Sequence, residues 1–181
     1  MVAHAPPPDA GEVRDNATFN AILGAFSRPG TVHRLPEAGP ASIVHALLDR
    51  ECRAWADTAS VEEMIRASGA TVVPSDLAGH LFLSLDSDAA LDRLARVGTG
   101  EGLYPDEGAT VVTPARLADG PQLRLTGPGI EGQALVRLGG LHPALWRLRA
   151  GLCRYPQGIE MIVVDGDRIA AIPRSTTVEM P

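Results

Sequence analysis

The residues best suited to hold an anion sit near the C-terminus, where Arg174-Ser175-Thr176-Thr177 sets one guanidinium beside three hydroxyls. Arginine presents a planar fork of N–H donors that matches phosphate or carboxylate, and hydroxyls add further donors. Arg124 and Thr126 face the same region if their strand lies next to this segment. Arg124, Thr126, Arg174 and Thr176 are therefore the candidate anion-binding residues. A second arginine group has a different character. The stretch Arg137–Arg154 carries four arginines and no acid. Within it Arg147 and Arg154, seven apart, are expected on one face of the last helix, as a candidate partner surface, because arginine is enriched at protein interfaces.

Other chemistries are excluded by what is missing. All 16 basic residues are arginine, and no lysine occurs. A Schiff base to a carbonyl substrate or to pyridoxal phosphate, a Walker-type phosphate loop and a kinase strand lysine are all ruled out in conventional form. Gly127-Pro128-Gly129-Ile130-Glu131-Gly132 matches GxGxxG. The dinucleotide fingerprint also needs a helix opening at the loop and an acid about 20 residues on. Here Gln133 to Leu138 alternates like a strand and residues 132–159 contain no acid, so the segment reads as a hairpin turn. Asp106 and Glu107 are neighbours, whereas acid–base work needs groups opposed across a substrate. The five histidines, His4, His33, His45, His80 and His142, are scattered, and Cys52 and Cys153 read as two buried thiols without metal-ligand spacing. No catalytic, cofactor-binding or metal-binding residue is assigned, and no cofactor is expected.

The chain that must position these groups has 181 residues, a formal net charge of −6 and 45% hydrophobic content. That is ordinary for one globular domain, and the acidity argues against nucleic acid as a partner. Apolar runs such as Met161 to Val164 are far shorter than a membrane span, and no secretory signal is visible. A cytoplasmic, membrane-free protein is expected. Residues 1–14 read as a flexible leader, with Asp15 or Asn16 capping the first helix, and 15–181 as a single α/β domain.

Phe19, Ile22, Leu23 and Phe26 share one helical face, which Pro29 and Gly30 end. Further helices are expected over about 40–49, 60–68 with Ser60 and Glu63 as a capping box, from Asp88, and over 143–152. Strands are expected at 31–35, 53–56, 71–73, 80–85, 110–113, 123–126, 134–138, 159–164 and 168–172. Asp165-Gly166-Asp167 marks a hairpin between the last two. The broken loop Gly98–Gly108 is long enough to be functional. Helices dominate first and strands later, so a single-domain mixed sheet flanked by helices is expected.

Several ordered segments resemble one family. They are Ser27-Arg28-Pro29-Gly30 after an apolar helix, Pro105-Asp106-Glu107-Gly108-Ala109-Thr110 before a strand, and Leu123-Arg124-Leu125-Thr126-Gly127-Pro128-Gly129-Ile130. Tyr155-Pro156-Gln157-Gly158-Ile159-Glu160 and the block Ala171 to Glu179 complete the set. Together they resemble the PhnH family, the H subunit of the bacterial carbon–phosphorus lyase system for phosphonate breakdown. The resemblance implies a fold related to the pyridoxal-phosphate-dependent transferases without that cofactor, which the absent lysine fits. It also implies a homodimer when isolated and a core complex with G, I and J subunits. That complex forms ribose 1-phosphonate 5-triphosphate from ATP and a phosphonate. The resemblance supplies no catalytic residue, so an accessory role is expected. The alternative is a stand-alone enzyme or binding protein for an anionic phosphonate or nucleotide, using Arg124, Arg174 and the Gly98–Gly108 loop.

Overall fold

Met161-Ile162-Val163-Val164 looks like an unpatterned apolar run because both faces of its strand are covered. In the computed structural model, which describes residues 7–180, Met161 and Val163 enter one hydrophobic core while Ile162 and Val164 enter another. A strand buried on both faces reads as continuous apolar sequence. Complete burial of one such side chain contributes about 1.5–3 kcal/mol, so this strand is a main anchor of the fold.

In chain order the elements are α1 (Ala10–Ser27), β1 (His33–Arg34), α2 (Pro40–Leu47), β2 (Arg53–Ala56) and α3 (Ala59–Ala67). They continue with β3 (Thr71–Val72), β4 (His80–Phe82), α4 (Asp88–Leu94), β5 (Thr110–Pro114) and β6 (Arg116–Thr126). The last are β7 (Ala134–Gly139), α5 (Leu145–Leu152), β8 (Glu160–Asp165), β9 (Arg168–Ile172) and β10 (Thr177–Glu179). A seven-stranded sheet has the order β1-β9-β8-β5-β4-β2-β3, and a three-stranded one the order β10-β6-β7. From β3 to β8 the pairs are parallel, whereas β9 and then β1 join antiparallel. The small sheet is antiparallel throughout.

Helices α1, α2 and α3 cover one face of the large sheet, through Ile22, Ile43 and Ile65. The other face packs on α4, α5 and the small sheet, through Leu94, Leu145, Leu123 and Leu125. This is a single-domain mixed α/β architecture with a helix-flanked sheet. Gly166 at φ 62° makes the two-residue turn that lets Asp165 face Arg168, as the sequence predicts. The GxGxxG segment joins two antiparallel strands rather than opening a helix. Gly129 is required there: at φ 79° it passes the carbonyl of Ser27 so closely that a Cβ would overlap it.

Three local expectations change. The first helix begins at Ala10, not near Asp15, because Asp9 accepts from the Glu12 amide while the Glu12 carboxylate accepts from Asp9 N–H. Residues 10–14 are thus helical rather than leader, and residues 1–6 of that leader lie outside the described residues. Helix α3 starts after Thr58, two residues earlier than a Ser60 cap requires, so the Ser60–Glu63 box does not form. The two cysteines are free but half-buried.

Candidate functional site

After β9 the chain turns through Pro173-Arg174-Ser175-Thr176 and lays β10 against β6, with Thr177 opposite Thr126 and Glu179 opposite Arg124. The condition set by the sequence, that these two strands be adjacent, is therefore met. The four candidate anion-binding side chains nevertheless divide. Arg124 alternates with the buried Leu123 and Leu125 and lies 3.5 Å from Glu179 across the strand pair. Arg174 turns instead towards Glu160 at the start of β8. Its backbone N–H donates to Glu160 Oε2 at 2.9 Å and its Nε to Oε1, while its Nη1 donates to the carbonyl of Pro105. One guanidinium thereby fastens the C-terminal turn to the Gly98–Gly108 loop.

That loop is held at both ends. Ala109 N–H donates to Gly98, Gly158 N–H to Thr99, and the Gln157 side chain to Gly100, each at 2.8 to 2.9 Å. Gly108 passes so close to the Gly158 carbonyl that no Cβ fits between them. The tip is exposed at Leu103 and Tyr104, and Tyr155 projects from the adjoining segment.

A residue that sequence reasoning missed does the central structural work here. Arg149 on α5 is only 2% exposed. It donates to the Thr176 carbonyl at 2.9 Å and also to those of Pro173 and Ile172. Burial pushes its pKa below the ordinary arginine value, against the opposing pull of Cys153 and Glu160. The signal was available: Leu145, Leu148, Arg149 and Leu152 occupy i, i+3, i+4 and i+7, a helical face that points inward. Thr176 is equally buried, its carbonyl facing Arg149 while its Oγ1 has no partner.

Arg147 and Arg154 are both exposed. Only Arg147 belongs to α5, however. The helix ends at Leu152 with an extended Cys153, because the chain must turn into the Arg154–Gln157 bridge. The two therefore do not share a helical face.

A cavity of ≈ 290 Å³ opens at the carboxyl ends of β2, β4, β5 and β8, lined by Asp57, Thr58, Phe82, Ser84, Val112 and Val164 among others. In open α/β sheets ligands bind at this end of the strands. Asp57 there accepts from Ser84 N–H at 2.7 Å. His80 opens β4 at the opposite end, and its Nδ1 is buried without a partner. Desolvation pushes its imidazole below the ordinary pKa, with the Asp49 charge opposing. The unfolded chain therefore takes up a proton first, and stability is lost as pH falls below about 6.5. Urea midpoints measured at pH 7 and pH 5.5 are expected to drop in the native chain and to drop less in His80→Gln.

Among the described residues no cluster of three or more His, Cys, Asp or Glu could hold a metal ion, and no helix is long and apolar enough to cross a membrane. The fold and its arginine-fastened C-terminal turn define a small mixed α/β protein, with candidate ligand-contacting groups at two ends of one sheet. The chain belongs to the PhnH family of bacterial phosphonate metabolism proteins, whose model matches residues 10–179. It is 32% identical over 174 residues to the "Putative C-P lyase subunit protein HtxG" of Stutzerimonas stutzeri, covering 92% of this chain and 87% of that protein. It is 24% identical over 180 residues to the "Alpha-D-ribose 1-methylphosphonate 5-triphosphate synthase subunit PhnH" of Rhizobium meliloti (strain 1021). That match covers 90% of this chain and 89% of the relative.

Proposed function

We propose that this chain is an accessory subunit of a carbon–phosphorus lyase core complex in the cytoplasm. There it supports formation of ribose 1-phosphonate 5-triphosphate from ATP and a phosphonate. The observation that carries the reading is the match over nearly the whole chain to two relatives, both named as subunits of phosphonate-processing assemblies. Its partners are the G, I and J subunits, and in isolation it pairs with a second copy. We propose further that the fold is related to that of the pyridoxal-phosphate-dependent transferases, with no lysine present to anchor that cofactor. Arg147 and Arg154, exposed on two separate segments, meet a partner subunit, and Arg124 and Thr126 on β6 offer anion contacts.

Co-expression with the neighbouring subunits followed by size-exclusion chromatography tests this. A mixed species is expected, and elution of the chain only as a free homodimer overturns the subunit reading. Reversing charge at both Arg147 and Arg154 is expected to weaken assembly tenfold or more while leaving the thermal midpoint unchanged; undiminished assembly removes both residues from the interface. The crevice at the carboxyl strand ends favours a second reading, a small-molecule enzyme in its own right. Turnover of ATP or a phosphonate by the isolated chain would be its signature.

A further inference from the structure

Between α5 and the C-terminal turn lies a second, smaller cavity of ≈ 160 Å³. Its lining includes Trp146, Arg149, Cys153, Arg174 and Thr176, and no carboxylate. Two of these side chains carry buried polar atoms without a partner: Nε of Arg149 and Oγ1 of Thr176. Both residues are only 2% exposed, and they come from different elements, one from the helix and one from the turn. Leaving a buried polar group without a partner is costly, so two of them beside one cavity call for an occupant.

Charge narrows what the occupant is. Arg174 is neutralised by Glu160, but no described carboxylate lies within salt-bridge distance of Arg149, whose guanidinium meets only carbonyl groups. An isolated buried cation is costly, and an anion at the free Nε offsets that cost. Size narrows it further. A buried water needs roughly 10–15 Å³ of such space, so the cavity is too large for one. Pockets for drug-sized ligands begin at about 300 Å³, so it is too small for a nucleotide.

We propose that this cavity binds one small tetrahedral oxyanion, phosphate or a simple phosphonate, with Arg149 Nε and Thr176 Oγ1 as donors. The free hydrogen on Arg149 completes a fork whose other arms already hold the C-terminal turn, so an occupant stiffens that turn directly. The site is distinct from the outward Arg124 and Thr126 and requires no partner subunit. It therefore stands or falls separately from the assembly reading.

The experiment uses the full chain freed of phosphate, titrated calorimetrically with inorganic phosphate and, separately, with methylphosphonate. Saturable binding of one anion per chain is expected for at least one of them, and the arm that binds identifies the source. Thr176→Val removes the hydroxyl at nearly constant volume and is expected to weaken binding tenfold or more; Thr176→Ser restores it. Arg147→Ala, exposed on the same helix, leaves binding unchanged. Absence of saturable binding in both arms overturns the proposal. So does equal loss in Arg147→Ala, or equal displacement by chloride at matched ionic strength, since either marks a diffuse charge effect.

Discussion

Arg149→Met is expected to lower the thermal midpoint by roughly 6–12 °C. Three carbonyls, of Ile172, Pro173 and Thr176, converge on this guanidinium. Deleting it strands acceptors at about 1–3 kcal/mol for each that finds no substitute partner. Relief of the buried charge offsets part of that, which leaves a net loss of about 3 kcal/mol. For a chain of this size each kcal/mol moves the midpoint by roughly 2–4 °C. Against a total stability of about 5–15 kcal/mol the loss is large. Differential scanning calorimetry reads it, and hydrogen exchange should show β10 losing protection before β8. Arg147→Met, two residues away and exposed, is expected to change the midpoint by less than about 1 kcal/mol's worth. Equal effects at the two positions would show that helix composition matters and the carbonyl contacts do not.

The second large effect is expected at Glu160. Its carboxylate accepts from both the backbone and the side chain of Arg174, and the two side chains are 23% and 15% exposed. Removing one member of a buried ion pair costs about 3–5 kcal/mol, and partial exposure reduces this to about 2–3 kcal/mol in Glu160→Ala. Because Arg174 also holds the Pro105 carbonyl, the damage should spread to the Gly98–Gly108 loop. Limited proteolysis is expected to cleave that loop several times faster in the variant. The exposed Arg34–Asp167 pair supplies the contrast, with side chains 76% and 44% exposed. Surface pairs contribute about 0–1 kcal/mol, so Asp167→Ala should leave both the midpoint and the cleavage rate nearly unchanged.

Local signals carried much of the fold. Pro29 and Gly30 stop α1, Gly166 turns the last hairpin, and alternation across residues 134–138 separates a true strand from a nucleotide-binding helix. What failed depended on partners remote in sequence. β10 is only three residues long, and it is a strand because the edge of β6 pairs with it. β6 begins at Arg116, well before the strand expected at 123–126. There the pairing with β7 shifts between Leu117 and Gln122. At the site, the helical position of Arg149 points inward while its charge suggests solvent, and the carbonyls some 23 to 27 residues downstream are what satisfy it there. Arg124 does lie against the C-terminal segment, because β10 pairs with β6. The separate engagement of Arg124 and Arg174 with Glu179 and Glu160 was not readable, because alternation specifies a face and not a partner.

Both outer strands of the seven-stranded sheet, β1 and β3, are two residues long. Unpaired backbone groups along a sheet margin template further chains, and a margin this brief offers almost no register for a newcomer. The small sheet differs, since β7 runs for six residues along its margin and leaves Leu135 53% exposed. Cross-β aggregation of overproduced protein is therefore expected to begin at β7. A charged residue in place of Leu135 is the substitution that should keep concentrated solutions clear.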